Sequence, residues 1–239
     1  MPDAAIAALR KEIQHQLHLS MLYTDRKYHI GKPSRHRANK KKQGSVSAEM
    51  AVQVDYADLE NLHSQIFAFY ARIQAQPLDE NEAIRMEPLM RASRSIMNAT
   101  RNFNDILEEI NDIGNDEKTI MVSMYQNFMT RLNAMKNRVE RVMGRLENQT
   151  GSVRDIQDFL NNCFSGVEEE DKQFIQACSR AIAQNAIKET DVSRLLMVNR
   201  LFTQSCRMIV LSMQGIVKTP DSGQNPAGKS SEVVPPNMQ

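Results

Sequence analysis

Leu89–Ile113, LMRASRSIMNATRNFNDILEEINDI, reads as one helix carrying two stripes. Apolar residues recur at Leu89, Ile96, Phe103, Ile106, Ile110 and Ile113, at helical steps or multiples of them. Beside them runs a row that is polar throughout: Arg94, Asn98, Arg101, Asp105, Glu108 and Asp112. The first stripe makes the segment a packing helix. The second is where charge is held in register rather than scattered for solubility.

Working outward from that helix, the same reading extends over the chain. Pro77 ends what precedes it, Asp79 with Glu82 three residues on forms a capping box, and Pro88 inside the pattern predicts a kink. Gly114-Asn115 closes the helix and Asp116 opens the next, to about Asn148, lined by Met121, Met124, Phe128, Leu132, Met135, Val139 and Val142. Upstream, Val52, Leu59, Leu62, Ile66, Phe69 and Ile73 face one way on a helix expected from a Ser45 or Ser47 cap to Gln76. Residues 4–29 form a first amphipathic helix through Ile6, Leu9, Ile13, Leu17, Met21 and Tyr28. Downstream, breaks at Gly151-Ser152 and Ser165-Gly166 predict a short helix over about 153–164 and long ones over 168–188 and 191–217.

The expected fold is all-α: an antiparallel helical bundle, built as two three-helix units, with a disordered tail. The expected division is an amphipathic N-terminal helix (1–30), a basic linker (31–45), the bundle (46–217) and a Pro/Gly/Ser-rich tail (218–239). Composition agrees, because a chain of 239 residues with 41% hydrophobic residues, 15 Met, 9 Gly and no Trp favours helix over sheet. Ser93-Arg94 and Met97 recur as Ser193-Arg194 and Met197 one hundred residues later, an echo that generic helix composition explains as readily as a duplicated unit.

A formal net charge of +1 conceals asymmetry. Residues 1–45 carry ten Lys/Arg against three Asp/Glu, whereas residues 46–218 carry 19 against 24. The basic stretch over residues 32–42 suits contact with an anionic membrane surface or simple solubilisation. It lacks the interleaved aromatics that stack bases, so no nucleic-acid partner is expected. Three widely spaced cysteines, with no CxxC, imply neither a disulfide framework nor a zinc site. Arg10 and Lys11 interrupt any signal-peptide core, and MIVLSMQGIV (208–217) is too short to span a bilayer. A cytoplasmic location, at the inner face of a membrane, is expected.

Catalytic motifs are absent: there is no Walker loop, GxGxxG, HExxH or GxSxG, and four of the five histidines lie in the first helix or the linker. A non-enzyme is expected. Asp105, Glu108, Glu109 and Asp112 put four carboxylates within two turns, the oxygen-rich set that a divalent metal would take. They also sit near a helix C-terminus, where acids cost about 0.3–1 kcal/mol each, so a cation, a neighbouring arginine or solvent must offset them. Arg94, Arg101 and Arg200 are the anion-binding candidates. With Arg91, Arg194 and Arg207 they would meet if the third and last helices packed together, and otherwise they would pair with the body's acids.

The run RASRSIMNATRNFNDILEEINDI and the later VSRLLMVNRLFTQSCRMIVLSMQ, with Asn199-Arg200 followed by Ser205, resemble the PhoU-like helical domain found at the C-terminus of bacterial sodium/phosphate cotransporters. The resemblance covers about residues 46–217. It implies two three-helix bundles without catalytic activity, in the cytoplasm, regulating phosphate transport or signalling through a membrane transporter or signalling partner. PhoU proteins carry an E/D-x-x-x-D metal motif in each repeat. Asp105-x-x-x-Glu109 and Glu108-x-x-x-Asp112 approximate it here, whereas the region from Arg200 to Gln214 has no carboxylate. A homodimer is compatible with this reading. The rival expectation is a ligand-free helical-bundle or coiled-coil scaffold that joins protein partners.

Overall fold

A computed structural model describes residues 2–30, 54–77 and 79–218. Within them the helices are α1 (Pro2–Ile30), α2 (Tyr56–Gln74), α3 (Glu80–Asp105), α4 (Leu107–Asn115), α5 (Thr119–Glu147), α6 (Val153–Ala183) and α7 (Glu189–Val217). No strand occurs among the described residues. The basic stretch 32–42, the Ser45 or Ser47 cap, Val52 and the tail beyond 218 lie outside them.

The helices form two groups. In the first, α1 packs on α2 and α3; in the second, α6 packs on α5 and α7. The most extensive helix–helix contact is α3 against α7, and it joins the groups along their length. One continuous core results, running from Ile6 and Leu9 in α1 to Ile216 and Val217 in α7. α1 is therefore part of the bundle and not a separate N-terminal segment: Leu9, Ile13 and Leu17 are fully buried. Its apolar period supplies the third helix of the first group, a place the sequence division had assigned within residues 46–217.

Four phenylalanines, one from each of α3, α5, α6 and α7, meet where the groups join. Ring centroids are 5.4 Å apart for Phe103–Phe202, 5.2 Å for Phe128–Phe202 and 4.9 Å for Phe128–Phe174. The tilted and edge-on arrangements are those that the ring quadrupoles favour. Tyr28 ties α1 to this centre by donating its hydroxyl to the Phe103 carbonyl at 2.8 Å.

Several boundaries depart from the sequence reading. α2 begins at Tyr56, where Asp55 and Asp58 form a reciprocal capping box that satisfies two end N–H groups. The third helix is interrupted at Ile106, which has helical-bridge angles (φ −97°, ψ 0°) and starts a new helix, α4. α6 passes through Ser165-Gly166 without a break. The glycine there has a packing reason: a Cβ on Gly166 would lie 3.3 Å from Arg138 Nη2, so its absence lets that guanidinium cross the helix and reach Glu170 at 2.7 Å.

α3 runs helically through Pro88, and the opposing helix answers it with a glycine. A Cβ at Gly215 would stand 2.8 Å from the Pro88 carbonyl oxygen and 3.3 Å from Ala92 Cβ. Close approach of α3 and α7 depends on that missing side chain. Gly215→Val is expected to cost about 1–3 kcal/mol through overpacking. A lowered midpoint in urea with unchanged helix content by circular dichroism checks it, and an unchanged midpoint contradicts the close-approach argument.

Candidate functional site

The two antiparallel helices α2 and α3 enclose an open cleft of about 460 Å³, lined by Glu60, His63, Ser64, Arg94, Met97, Asn98 and Arg101. On each helix the lining residues fall at three- and four-residue steps, so one face of each is presented to the other. Two of the anion-binding candidates, Arg94 and Arg101, are therefore brought together. The third, Arg200, is exposed on α7 and does not line the cleft.

The cleft's functional groups are held from behind. The Arg94 guanidinium lies 5.3 Å over the Phe67 ring centroid, a cation–π contact that fixes its plane. His63 packs edge-on against the same ring at 4.8 Å. Its Nδ1 is 2.9 Å from Ser93 Oγ, and Ser93 donates to Gln16 Oε1 at 2.7 Å. The Gln16 amide nitrogen, which can only donate, lies 3.2 Å from the same Nδ1, so Gln16 and Ser93 together close on this ring nitrogen and leave Nε2 to the cleft side. Gln16 and Ser93 are both completely buried, so the histidine stands on a dry hydrogen-bonded base.

This geometry excludes one chemistry that the residues suggest. Ser93 and His63 are at the distance of a nucleophile and its base, but Ser93 has no solvent exposure and its proton points to an amide oxygen. Two guanidinium groups and the neutral imidazole line the cleft with one carboxylate, Glu60, and Asp105 just outside the lining also acts on Arg101, so the cationic end of the cleft is the one at Arg94. Burial, and secondarily the Arg94 charge, lower the pKa of His63 from its ordinary value.

The sign of the pH dependence follows. A folded-state pKa below the unfolded one means that the folded protein binds fewer protons. The stability linked to His63 is thus complete above about pH 6.5, the unfolded value, and declines as pH falls through 6.5 toward the folded value. A thermal midpoint that drops between pH 7 and 5, and drops less in His63→Gln, is the expected result. An identical profile in the variant rules out the assignment.

The acidic candidates are arranged otherwise. Asp105 ends α3, whereas Glu108, Glu109 and Asp112 lie on α4 beyond the Ile106 interruption. Arg194 from α7 bridges two of them, with Nε 2.5 Å from Glu109 Oε2 and Nη2 3.3 Å from Asp112 Oδ2, while Asp105 and Glu108 remain exposed. The offset for acids near the helix end comes from a neighbouring arginine. Among the described residues no group of three or more His, Cys, Asp or Glu is placed to hold a metal ion. The donor set implied by the PhoU-type motif does not fit these carboxylates as placed, because no three of them converge and Arg194 pairs with Glu109 and Asp112.

The other arginines disperse as well, although α3 and α7 do pack together. Arg91 pairs with Glu87 on its own helix, and Arg207 lies 3.8 Å from Glu168 on α6. The 93/193 echo has no structural counterpart: Ser93 is buried, whereas Ser193 is exposed and donates to the Glu189 carbonyl. A larger concavity of about 560 Å³ lies beside α1, lined among others by Arg10, Lys11, His15, His18 and Glu147.

A second polar constellation, absent from the sequence reading, lies inside the second helix group. Arg131 on α5 is only 4% exposed and donates to Asn199 Oδ1 at 2.6 Å and Thr203 Oγ1 at 2.8 Å. Asn199 and Thr203 in turn donate to Asp171 Oδ1 at 2.6 and 3.0 Å. Burial lowers the pKa of Arg131, and the Glu170 and Asp171 carboxylates oppose that shift. A signal was present: Arg131 stands three residues after Phe128 and four before Met135, squarely on the apolar stripe of α5. Beside this network Cys206 is buried, and burial pushes its thiol up to about 12. No known protein family, curated protein or solved structure matches this chain.

Proposed function

We propose that the chain is a non-catalytic regulatory domain of the PhoU-like kind, serving phosphate transport or phosphate signalling through helix-face contacts with a membrane transporter or signalling partner. In this reading the α2–α3 cleft is the sensing element and takes an oxyanion. The observation that carries it is the convergence of Arg94, Arg101, His63, Ser64 and Asn98 in one concavity, with His63 and Arg94 held in place from behind. Planar guanidinium groups match tetrahedral oxyanions in pairs of hydrogen bonds, and the Asn98 amide adds a donor without charge, while the Ser64 hydroxyl donates to the Glu60 carbonyl at 2.9 Å. No helix among the described residues is long and apolar enough to cross a membrane.

Isothermal titration with inorganic phosphate and with sulfate tests the sensing element. One site is expected, weakened by tenfold or more in Arg94→Gln/Arg101→Gln, since a charge-assisted hydrogen bond is worth about 1.5–3 kcal/mol. Sulfate keeps its charge from pH 8 to 6, so its binding isolates the protein's own titration. An anion in the cleft favours protonated His63, and sulfate affinity is expected to rise as pH falls. Absence of binding by both anions overturns the sensing reading. The ligand-free scaffold is the second reading, and the apolar outer face of α7 favours it.

A further inference from the structure

α7 carries two seams of heptad spacing, and the bundle covers only one. The inner seam is Val192, Leu195, Asn199, Phe202, Cys206, Ile209, Met213 and Ile216, all buried against α3 and α6. The outer seam is Met197, Leu201, Gln204, Met208 and Leu211, displaced by two residues and hence about 200° around the helix. It spaces by four, three, four and three residues, the alternation that a pairing helix requires. Met197 is 51% exposed and Leu211 49%, while Leu201 and Met208 are half-buried and Gln204 is exposed. The outer face of α5 shows what a solvated face of this bundle looks like: Ser123, Gln126, Asn127, Thr130, Asn133 and Asn137. A helix that is apolar on opposite sides is built to be covered on both.

We infer that a second copy of this chain covers the outer seam, with the two α7 helices antiparallel and crossing at Gln204. The seam has two apolar residues on either side of one central glutamine; Met197 and Leu211 lie at equal offsets of seven from it, whereas Leu201 and Met208, at three and four, are one residue out of step. Antiparallel pairing about that centre sets each residue at 204+n opposite 204−n. Met197 then meets Leu211 twice, which is the isologous contact a two-fold axis demands. Gln204 meets its own copy on the axis, where an amide can both donate to and accept from an identical amide. A lone polar residue at such a position fixes register and orientation at some cost in stability.

Charge at the ends agrees with the same pairing. Glu189 and Lys218 are both exposed and lie 15 and 14 residues from Gln204, so opposite charges face each other at each end of the paired helices. The antiparallel arrangement brings Arg200 of one copy beside Arg207 of the other. Arg207 is already 3.8 Å from Glu168, and that carboxylate, itself partly exposed, serves both guanidinium groups. This inference concerns a different face from the α2–α3 cleft and stands or falls independently of anion binding.

Sedimentation equilibrium of the full chain over a range of concentrations tests it. The expected mass is twice 27.2 kDa, returning to 27.2 kDa in Met197→Glu and in Leu211→Glu, with circular dichroism and thermal midpoint unchanged at low concentration. Cysteine cross-linking reads the geometry directly, because Cys163, Cys178 and Cys206 are buried and contribute little background. Under mild oxidation Gln204→Cys is expected to cross-link to itself. Met197→Cys is not, since antiparallel pairing holds the two copies of residue 197 about 20 Å apart. The double variant Met197→Cys/Leu211→Cys is expected to cross-link. A monomer at every concentration overturns the proposal and assigns the seam to another occupant. A dimer that survives both glutamate variants, or a Met197→Cys that links to itself as in a parallel pair, overturns it equally.

Discussion

Arg131→Ala is expected to destabilise the protein by about 3–5 kcal/mol, the largest effect of any polar substitution in the bundle. The guanidinium is 4% exposed and satisfies Asn199 and Thr203 directly while facing Glu170 at 3.6 Å. It also lies 4.9 Å over the Phe202 ring and 5.9 Å over Phe174. Truncation removes the cation and leaves the buried Asn199 and Thr203 oxygens without their donor, while Glu170 keeps Arg138 and Asp171 keeps its bonds from Asn199 and Thr203. For a chain of this size, a loss of about 1 kcal/mol lowers the thermal midpoint by roughly 2–4 °C, so a fall of about 6–20 °C is expected. Arg131→Lys should recover little, because one ammonium cannot reach Asn199 and Thr203 together and stack on two rings. Arg131→Met should cost less than alanine, since it fills the volume while Asn199 and Thr203 keep their bonds to Asp171. Chemical unfolding of the three variants checks this order, and an alanine loss below about 1 kcal/mol contradicts it.

Phe202→Ala is expected to cost about 3–5 kcal/mol, as large-to-small changes do when the surrounding side chains cannot collapse into the space. Phe202 is fully buried, touches Phe103 of α3 and Phe128 of α5, and so fills the junction of the two helix groups. Its neighbours come from separate helices, each held elsewhere by its own packing, which limits relaxation. Because Arg131 lies over this ring, the two losses are not independent. The double variant Arg131→Ala/Phe202→Ala should fall short of the sum by about 0.5–3 kcal/mol, and strict additivity would show that the stacking contributes nothing.

Much of the architecture is legible along the chain because a long amphipathic helix states its buried face locally. Leu89, Ile96, Phe103, Ile110 and Ile113 needed no partner to be recognised as core, and all are buried. The misread boundaries are at Ser165-Gly166 and at Ile106, where propensity and the folded backbone disagree. Gly166 lies inside a continuous helix with the Arg138 guanidinium beside it, and Ile106 breaks a helix with neither Gly nor Pro at that position. For the interruption at Ile106 the contacts offer no physical account beyond its burial.

The site divides in the same way. Arg94 and Arg101 could be picked from one helix by their shared register. Their cleft mates His63 and Ser64 could not, for they come from α2, and nothing local states how far α3 is rotated against it. Arg200 looked equivalent to them in sequence and is on a different face of the molecule. The four acids looked like a metal set until a neighbouring helix supplied Arg194.

Sequence periodicity alone thus determined that the bundle is all-α and which faces of its helices are apolar. Only tertiary structure decided that α1 belongs to the bundle, that α3 lies against α7, and which charges meet. The physical reason is range. Helical hydrogen bonds and apolar period act over three or four residues, whereas a salt bridge or a cleft depends on the relative rotation and rise of helices dozens of residues apart. That placement is chosen by close packing at points such as Gly215 against Pro88, not by any single segment's preference.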